Sequence, residues 1–237
     1  MNCMFLSKYL ETPREKTLIT ALIFIFVPFA ILTFVFCINE LRLISATDFG
    51  VLDFELAWTP ERINQIFLAW GPAEIQHQTF ITYIDYAFIP CYSLFGAGLV
   101  LFIARKSEKN LQNLGLILCF SFLLAGIFDA IENINLLLMS ANEASYWPGC
   151  PFFASACATF KISFLLIGLC YFYIGICYLI FKKKEFAPIF RALILIGGGM
   201  IIIIFLAVWS FFLSILTAVI YFFMLLGIIY REQKENK

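Results

Sequence analysis

The chain has 237 residues, of which 62% are hydrophobic and 14% charged, with 16 basic and 16 acidic residues and a mean hydropathy of +0.93. This usage excludes an ordinary soluble domain, in which about a quarter of the residues are charged. Most of the chain is therefore expected to lie in lipid.

Apolar runs long enough to cross a hydrocarbon core of about 30 Å, which takes about 20 helical residues, recur along the sequence. We predict six spans, at about 17–39, 79–104, 113–139, 153–181, 191–209 and 211–230. The last two divide one apolar block near Trp209, because a single helix of that length would be roughly 60 Å long, twice the core. The expected fold class is an all-α, polytopic transmembrane helical bundle that forms one domain over 1–237.

The positive charges predict the orientation, because Lys and Arg collect in short cytoplasmic loops. In the six-span arrangement, 13 of the 16 Lys and Arg residues lie on one side, in the N-terminal segment, two loops and the tail. The opposite side holds Arg42 and Arg62 against seven acids. We therefore expect a bacterial inner (plasma) membrane protein with both termini in the cytoplasm and an uncleaved first span.

The predicted first outer loop, 40–78, contains a short amphipathic helix that begins after Thr59 and ends at Gly71. Its apolar face consists of Ile63, Ile66, Phe67 and Trp70. Two interpretations remain open. The helix lies in the membrane interface, with Trp70 at the headgroup level, as a lid or lipid-contacting element, or it is a packing helix that closes the loop.

Two acids and two asparagines interrupt the third span, in GIFDAIENINLLL. Asp129, Glu132 and Asn133 share one helical face, since residues i, i+3 and i+4 lie within about 100° of each other. Asp85 in the second span and Lys161 in the fourth are the other buried charges. Counted inward at 1.5 Å per residue, Asp85, Asp129, Glu132 and Lys161 reach depths of about 9 to 16 Å. They are predicted to meet in one layer of the outer half of the membrane.

Each charge in the middle of a span costs roughly 2.5 to 3.5 kcal/mol on insertion scales, so the four charges are expected to face inward and pair. Three carboxylates and one ammonium leave a surplus of negative charge. Three arrangements relieve it: one or two acids hold a proton, a sodium, magnesium or calcium ion binds to Asp85, Asp129, Glu132 and Asn133, or the site opens to outer water. A structural knot of paired polar residues is the competing interpretation.

Three further residues are candidates for the same pocket. Tyr92 shares a helical face with the acid of the second span. Trp70 belongs to the short helix above the layer. His77, the only histidine, lies just outside the second span and can carry a proton near neutral pH, although a solvated histidine is the plainer interpretation.

Most of the eight cysteines fall in or beside the spans, where Cys behaves as a small hydrophobic residue. Cys150 and Cys157 are near enough in sequence to form a disulfide on the outer side, where disulfides are permitted. The alternative is that both remain small apolar residues.

No motif typical of zinc, haem or nucleotide binding is present, so none of these cofactors is expected, and neither is a nucleic-acid partner. Three classes of function stay open. The first is binding or acid/base processing of a lipid-like molecule, small solute or cation, with Asp85, Asp129 or Glu132 as the proton carrier and Lys161 beside it. The second is a proton- or cation-coupled transporter. The third is a structural or assembly subunit of a membrane complex.

Overall fold

The structure is a computed structural model in which residues 15–141 and 146–183 are described. Of these residues 92% are helical and none forms a strand, which confirms the all-α prediction for this part of the chain. The helices are α1 (Glu15–Thr47), α2 (Val51–Glu55), α3 (Pro60–Lys106), α4 (Lys109–Ala141) and α5 (Cys150–Lys183). The predicted spans at 191–209 and 211–230 lie outside the described residues.

Four of these helices, α1, α3, α4 and α5, are long and apolar enough to cross a membrane. The described residues belong to two compact units. The first contains the described residues up to Gly98 together with Phe120–Leu165, and the second contains Leu99–Cys119 and the described residues from Leu166 onward. All the candidate site residues belong to the first unit.

The helices extend beyond the apolar runs that predicted them. We expected α1 to end near residue 39, but it continues to Thr47, and most of the predicted 40–78 loop is helical. The added turns carry polar residues that pair between helices, such as Arg42 of α1, which donates to both carboxylate oxygens of Glu74 in α3 at 2.8 and 2.7 Å. An apolar run thus predicts only the apolar part of a helix. The helix continues beyond it through polar turns that pair with a neighbouring helix.

The predicted short helix forms the first part of α3. Its first residue is Pro60, and the Thr59 hydroxyl caps it by accepting a hydrogen bond from the Arg62 backbone N–H at 3.3 Å. At Gly71 the backbone leaves the helical region, with φ 68° and ψ 168°, a conformation that glycine adopts without a side-chain clash. Helix resumes at Pro72, so α3 is interrupted where the sequence predicted a stop.

The apolar face of the Pro60–Trp70 segment packs inward. It contributes to an apolar cluster that comprises Leu43, Phe54, Ala57, Ile63, Ile66, Phe67, Trp70, Ile75, Leu136, Met139, Cys150 and Ala154. The Trp70 indole N–H donates to the Phe49 carbonyl at 3.2 Å, and its ring meets Phe54 edge-on at 5.2 Å. These contacts favour the packing interpretation of this segment over a free lid.

The connection between α1 and α3, residues 48–59, is fastened to the helices on both sides. The Val51 N–H donates to the Glu40 carboxylate of α1 at 2.9 Å, and the Trp58 N–H donates to the hydroxyl of Ser155 in α5, also at 2.9 Å. Trp58 takes up a left-handed backbone conformation with φ 57°, which is unfavourable for a bulky residue and persists only where its surroundings hold it. The connection therefore gives α2 a defined position against α5.

Cys150 and Cys157 are both free thiols. Of the two alternatives that the sequence left open, the structure therefore supports two small apolar residues over a disulfide. Cys150 packs in the apolar cluster, as a small hydrophobic residue would.

Candidate functional site

The amine of Lys161 lies at the centre of a buried ionic group. Its Nζ atom is 3.1 Å from Asp129 Oδ1 and 2.8 Å from Glu132 Oε2, both on α4, and 3.2 Å from Glu55 Oε2 on α2. The side chains of Lys161, Asp129 and Glu132 are 10%, 5% and 0% exposed, and that of Glu55 is 18% exposed. We call these residues and their partners Asp85, Tyr92 and Asn133 the Lys161 cluster.

Helical periodicity and small side chains bring the cluster together. Asp129, Glu132 and Asn133 are all buried on one face of α4, as their spacing predicted. On α5, Ala158 is fully buried one turn before Lys161. On α4, Gly126 leaves room for the Ile89 and Ser93 side chains of α3, and such small residues let helices approach closely.

Asp129 is held on both sides. While Oδ1 faces Lys161, Oδ2 accepts a hydrogen bond from the Tyr92 hydroxyl at 2.6 Å. The Tyr92 ring packs in an apolar environment with Ile89 and Ala125. Short hydrogen bonds to a carboxylate are stronger than bonds between neutral groups.

Asp85 lies at the edge of the cluster. Its Oδ2 accepts a hydrogen bond from the Asn133 side-chain amide at 2.7 Å. Within the described ranges it makes no ion pair with Lys161. The structure thus brings Asp129, Glu132 and Lys161 into direct contact, and it joins Asp85 to them through Asn133.

Glu132 differs from the other acids. It is wholly buried. Its Oε2 atom lies 2.8 Å from Lys161 Nζ, in an ion pair that Lys161 shares with Asp129 and Glu55, and its Oε1 atom has no hydrogen-bond partner among the described residues. Burying a polar atom without a hydrogen bond is unfavourable, so Oε1 lacks a donor that a proton or a bound molecule could supply.

Glu55 is the member of the cluster that the sequence analysis missed, because it was counted among the solvated acids of the predicted loop. A signal was present in VLDFELAW, where apolar residues flank the acid on both sides. Phe54 and Ala57 are indeed buried, and they carry the connection inward. Apolar residues in a loop thus indicate that the loop packs against the helices. An acid between them can then be carried into the interior.

Two of the other predicted pocket residues lie elsewhere. Trp70 belongs to the apolar cluster, whereas the His77 Nε2 atom lies 3.1 Å from the Asn39 side-chain oxygen. His77 thereby joins a second polar group, the Arg42 network, which consists of Asn39, Arg42, Glu74, His77 and Gln78. Only Tyr92 of the three further candidates contacts the Lys161 cluster.

The Arg42 network joins α1 to α3. Besides the Arg42–Glu74 pair, the Gln78 amide donates to Glu74 at 2.6 Å, and the Asn39 amide donates to Gln78 at 3.0 Å. The Arg42 side chain is 44% exposed. The Arg42 guanidinium and the Glu74 carboxylate are paired directly, so each of these two charges has its partner within the network.

The possibility of a metal site can be tested on the donor set. Among residues 15–141 and 146–183, no group of three or more His, Cys, Asp and Glu side chains is arranged to hold a metal ion. The suggested ligands are divided: Asp129 and Glu132 surround the Lys161 ammonium, and Asn133 pairs with Asp85. Lys161 thus occupies the position among the carboxylates that a cation would require.

Comparison with known proteins gives no match to this chain, whether among family models, curated proteins or solved structures. The functional argument therefore depends on the geometry of the Lys161 cluster.

Proposed function

We propose that this chain is a six-span protein of a bacterial inner membrane, with both termini in the cytoplasm, and that the Lys161 cluster is a ligand site in the outer half of the bundle. The ligand is a lipid-like molecule or a small solute, which the site binds or processes. Four helices long and apolar enough to span support the membrane location. In this arrangement the Pro60–Trp70 segment lies near the outer interface.

The observation that carries the proposal is the buried carboxylate of Glu132, whose Oε1 atom has no hydrogen-bond donor among the described residues. A cluster that serves packing alone is expected to satisfy its buried polar groups, as the Arg42 network does. The Lys161 ammonium is shared among three carboxylates, and the Oε1 atom of Glu132 is left without a donor among the described residues. A hydroxyl or amine group of a ligand would supply the missing hydrogen bonds.

The charge of the cluster narrows the class of ligand. With every group ionised, the three carboxylates around one ammonium leave a net negative charge in a region of low dielectric constant. A phosphate or carboxylate headgroup would add to that charge. The site therefore favours a ligand whose polar end is an amine or a hydroxyl group.

A proton- or cation-coupled transporter is the second candidate. One observation favours it: ionisable groups in contact run from Glu55, which is partly exposed, through Lys161 and Asp129 to Tyr92. Such a row can pass protons. A transporter would need a continuation of this row toward the cytoplasmic side.

The test is ligand-dependent thermal unfolding of the purified protein in detergent micelles. Oleylamine and monoolein are the probes, with oleic acid as the anionic control. A ligand at about 100 times its dissociation constant stabilises by about 2.7 kcal/mol, which for a chain of this size raises Tm by roughly 5 to 10 °C. We expect such a rise with the amine or the hydroxyl probe, and a smaller one or none with oleic acid.

Two variants show whether the effect belongs to the site. Glu132→Gln should lose the probe-dependent rise, whereas Glu74→Gln, a matched change in the Arg42 network, should keep it. An equal rise of Tm in both variants would mean that the probe acts through the detergent micelle and not through the site. No rise with any probe would leave the structural knot as the better account of the cluster.

A further inference from the structure

Glu132 faces ionisable groups from every helix packed around it. These groups are Asp129 on its own helix, Lys161 and Cys157 on α5, Glu55 on α2, and, one contact further away, Asp85 and Tyr92 on α3. Among them Lys161 carries the only positive charge. One ammonium balances one carboxylate, so the others need solvent, hydrogen-bond donors or protons.

The three acids in contact with Lys161 differ in how well their surroundings stabilise a negative charge. Asp129 as an anion is stabilised by two donors, Tyr92 and Lys161. Glu55 is partly exposed, so water can solvate its charge. Glu132 is 0% exposed, its Oε2 faces an ammonium that it shares with two other acids, and its Oε1 has no donor within the described helices, so it is the acid at which a proton relieves the largest penalty.

We propose that Glu132 is a proton-binding site, which holds one exchangeable proton and is linked through Lys161 to Glu55. This inference rests on the proposed function, since it concerns the same site and says which ligand Glu132 carries in the resting protein. A protonated Glu132 is a hydrogen-bond donor as well as an acceptor. It can thus offer its proton to a hydroxyl or amine group bound beside it.

The link to Glu55 has a geometry that permits exchange. Lys161 Nζ lies 3.2 Å from Glu55 Oε2 and 2.8 Å from Glu132 Oε2, so one ammonium bridges the two carboxyl groups. When Lys161 gives a proton to Glu132 and takes one from a protonated Glu55, one proton has moved from Glu55 to Glu132. Lys161 ends as it began, with three protons, and the negative charge has moved to the partly exposed acid.

The test uses the carbodiimide DCCD, an apolar reagent that adds to protonated carboxyl groups. Purified full-length protein in detergent is treated at a series of pH values without added ligand, and modified peptides are mapped by mass spectrometry. The activated carboxyl rearranges to an N-acylurea, or loses dicyclohexylurea when an amine attacks it. We expect either the adduct on Glu132 or an amide between Glu132 and Lys161, with a yield that falls as the pH rises.

Two variants of similar size test the link. Glu55→Gln removes a neighbouring negative charge that favours the proton, so the pH at which labelling of Glu132 is half-maximal should fall. Glu61→Gln changes an exposed acid of the α3 segment that lies outside the cluster, and it should leave that pH unchanged. An equal midpoint in wild type and Glu55→Gln would overturn the link to Glu55.

Mapping in the wild type needs no variant to fold. Modification of Asp129 or Glu55 in place of Glu132, or an unmodified Glu132 at every pH, would overturn the proton site. The result is also separable from the ligand experiment. Labelled Glu132 without any probe-dependent Tm rise would keep the proton and remove the ligand, and the reverse result would keep the ligand and remove the proton.

Discussion

The Arg42 network and the Lys161 cluster are two polar groups in the same helical unit, and they differ in charge balance and burial. The first pairs one Arg with one Glu at 2.7 Å and is open to solvent at Arg42. The second places one Lys among three carboxylates, and its Glu132 is wholly buried. A balanced, half-exposed network suffices to hold helices together, whereas an unbalanced, buried one requires a further proton or ligand.

The same contrast extends to the number of segments involved. The Arg42 network joins two helices, α1 and α3. The Lys161 cluster draws on α2, α3, α4 and α5, and its α2 member comes from a connection that is itself fastened by Trp58 and Ser155. Ordering four helical segments around one group of charges costs conformational entropy. A function beyond packing would account for that cost.

The largest expected effect comes from removing the central cation. Lys161→Met should lower the free energy of unfolding by about 3 to 5 kcal/mol, because removing one partner of a buried ion pair leaves uncompensated charge. Reversible unfolding in SDS mixed micelles, followed by tryptophan fluorescence, measures this change. The double variant Lys161→Met with Asp129→Asn should recover part of the loss. A loss below 1 kcal/mol would place the Lys161 cluster in the same class as the Arg42 network.

The next effect concerns the hydrogen bond between Tyr92 and Asp129. Tyr92→Phe should cost about 1.5 to 3 kcal/mol, since a bond to an ionised group is lost and its acceptor stays buried. In Asp129→Asn the same substitution should cost less, and a double-mutant cycle of SDS unfolding measures the coupling. Equal costs in both backgrounds would mean that Tyr92 contributes by packing alone.

The sequence predicted which charged residues of the long helices meet, but it did not predict which loop residue joins them. The helical repeat was enough to place Asp129, Glu132 and Asn133 on one face, and depth counted along the helices brought Lys161 to the same level. Glu55 could not be placed, because α2 is held in part by the Trp58–Ser155 hydrogen bond, which joins residues 97 apart in the chain.

The ends of the helices were also beyond a reading of hydropathy. The turns of α1 after residue 39 are polar and have no apolar pattern. They stay helical because Arg42 pairs with Glu74, which lies 32 residues away in the chain. In the same way, the apolar face of the Pro60–Trp70 segment was visible, but its partners were not. Leu136 and Cys150 come from helices far along the chain, so the choice between lid and packing helix required the fold.

A smaller effect is expected where the connection is fastened to α5. Ser155→Ala removes the acceptor of the Trp58 N–H and should cost about 0.5 to 1.5 kcal/mol. Its sharper consequence concerns Glu55, which should react faster with the water-soluble carbodiimide EDC and glycine ethyl ester once the connection loosens. Thr159→Ala, one turn further along α5, is the matched control, since the Thr159 hydroxyl bonds within its own helix. Unchanged reactivity of Glu55 would show that Ser155 does not position it.

The smallest effect should come from the Arg42 network, although its ion pair is the shortest of the two groups. Arg42→Met is expected to lower the free energy of unfolding by about 0 to 1 kcal/mol, because solvent and salt screen a pair whose cation is 44% exposed. The loss should shrink further when SDS unfolding is repeated at high salt, whereas that of Lys161→Met should persist, since salt does not enter the buried cluster. If Arg42→Met and Lys161→Met lowered the free energy of unfolding equally, distance alone would set the strength of these ion pairs. Burial and charge balance would then no longer distinguish a functional site from a structural ion pair.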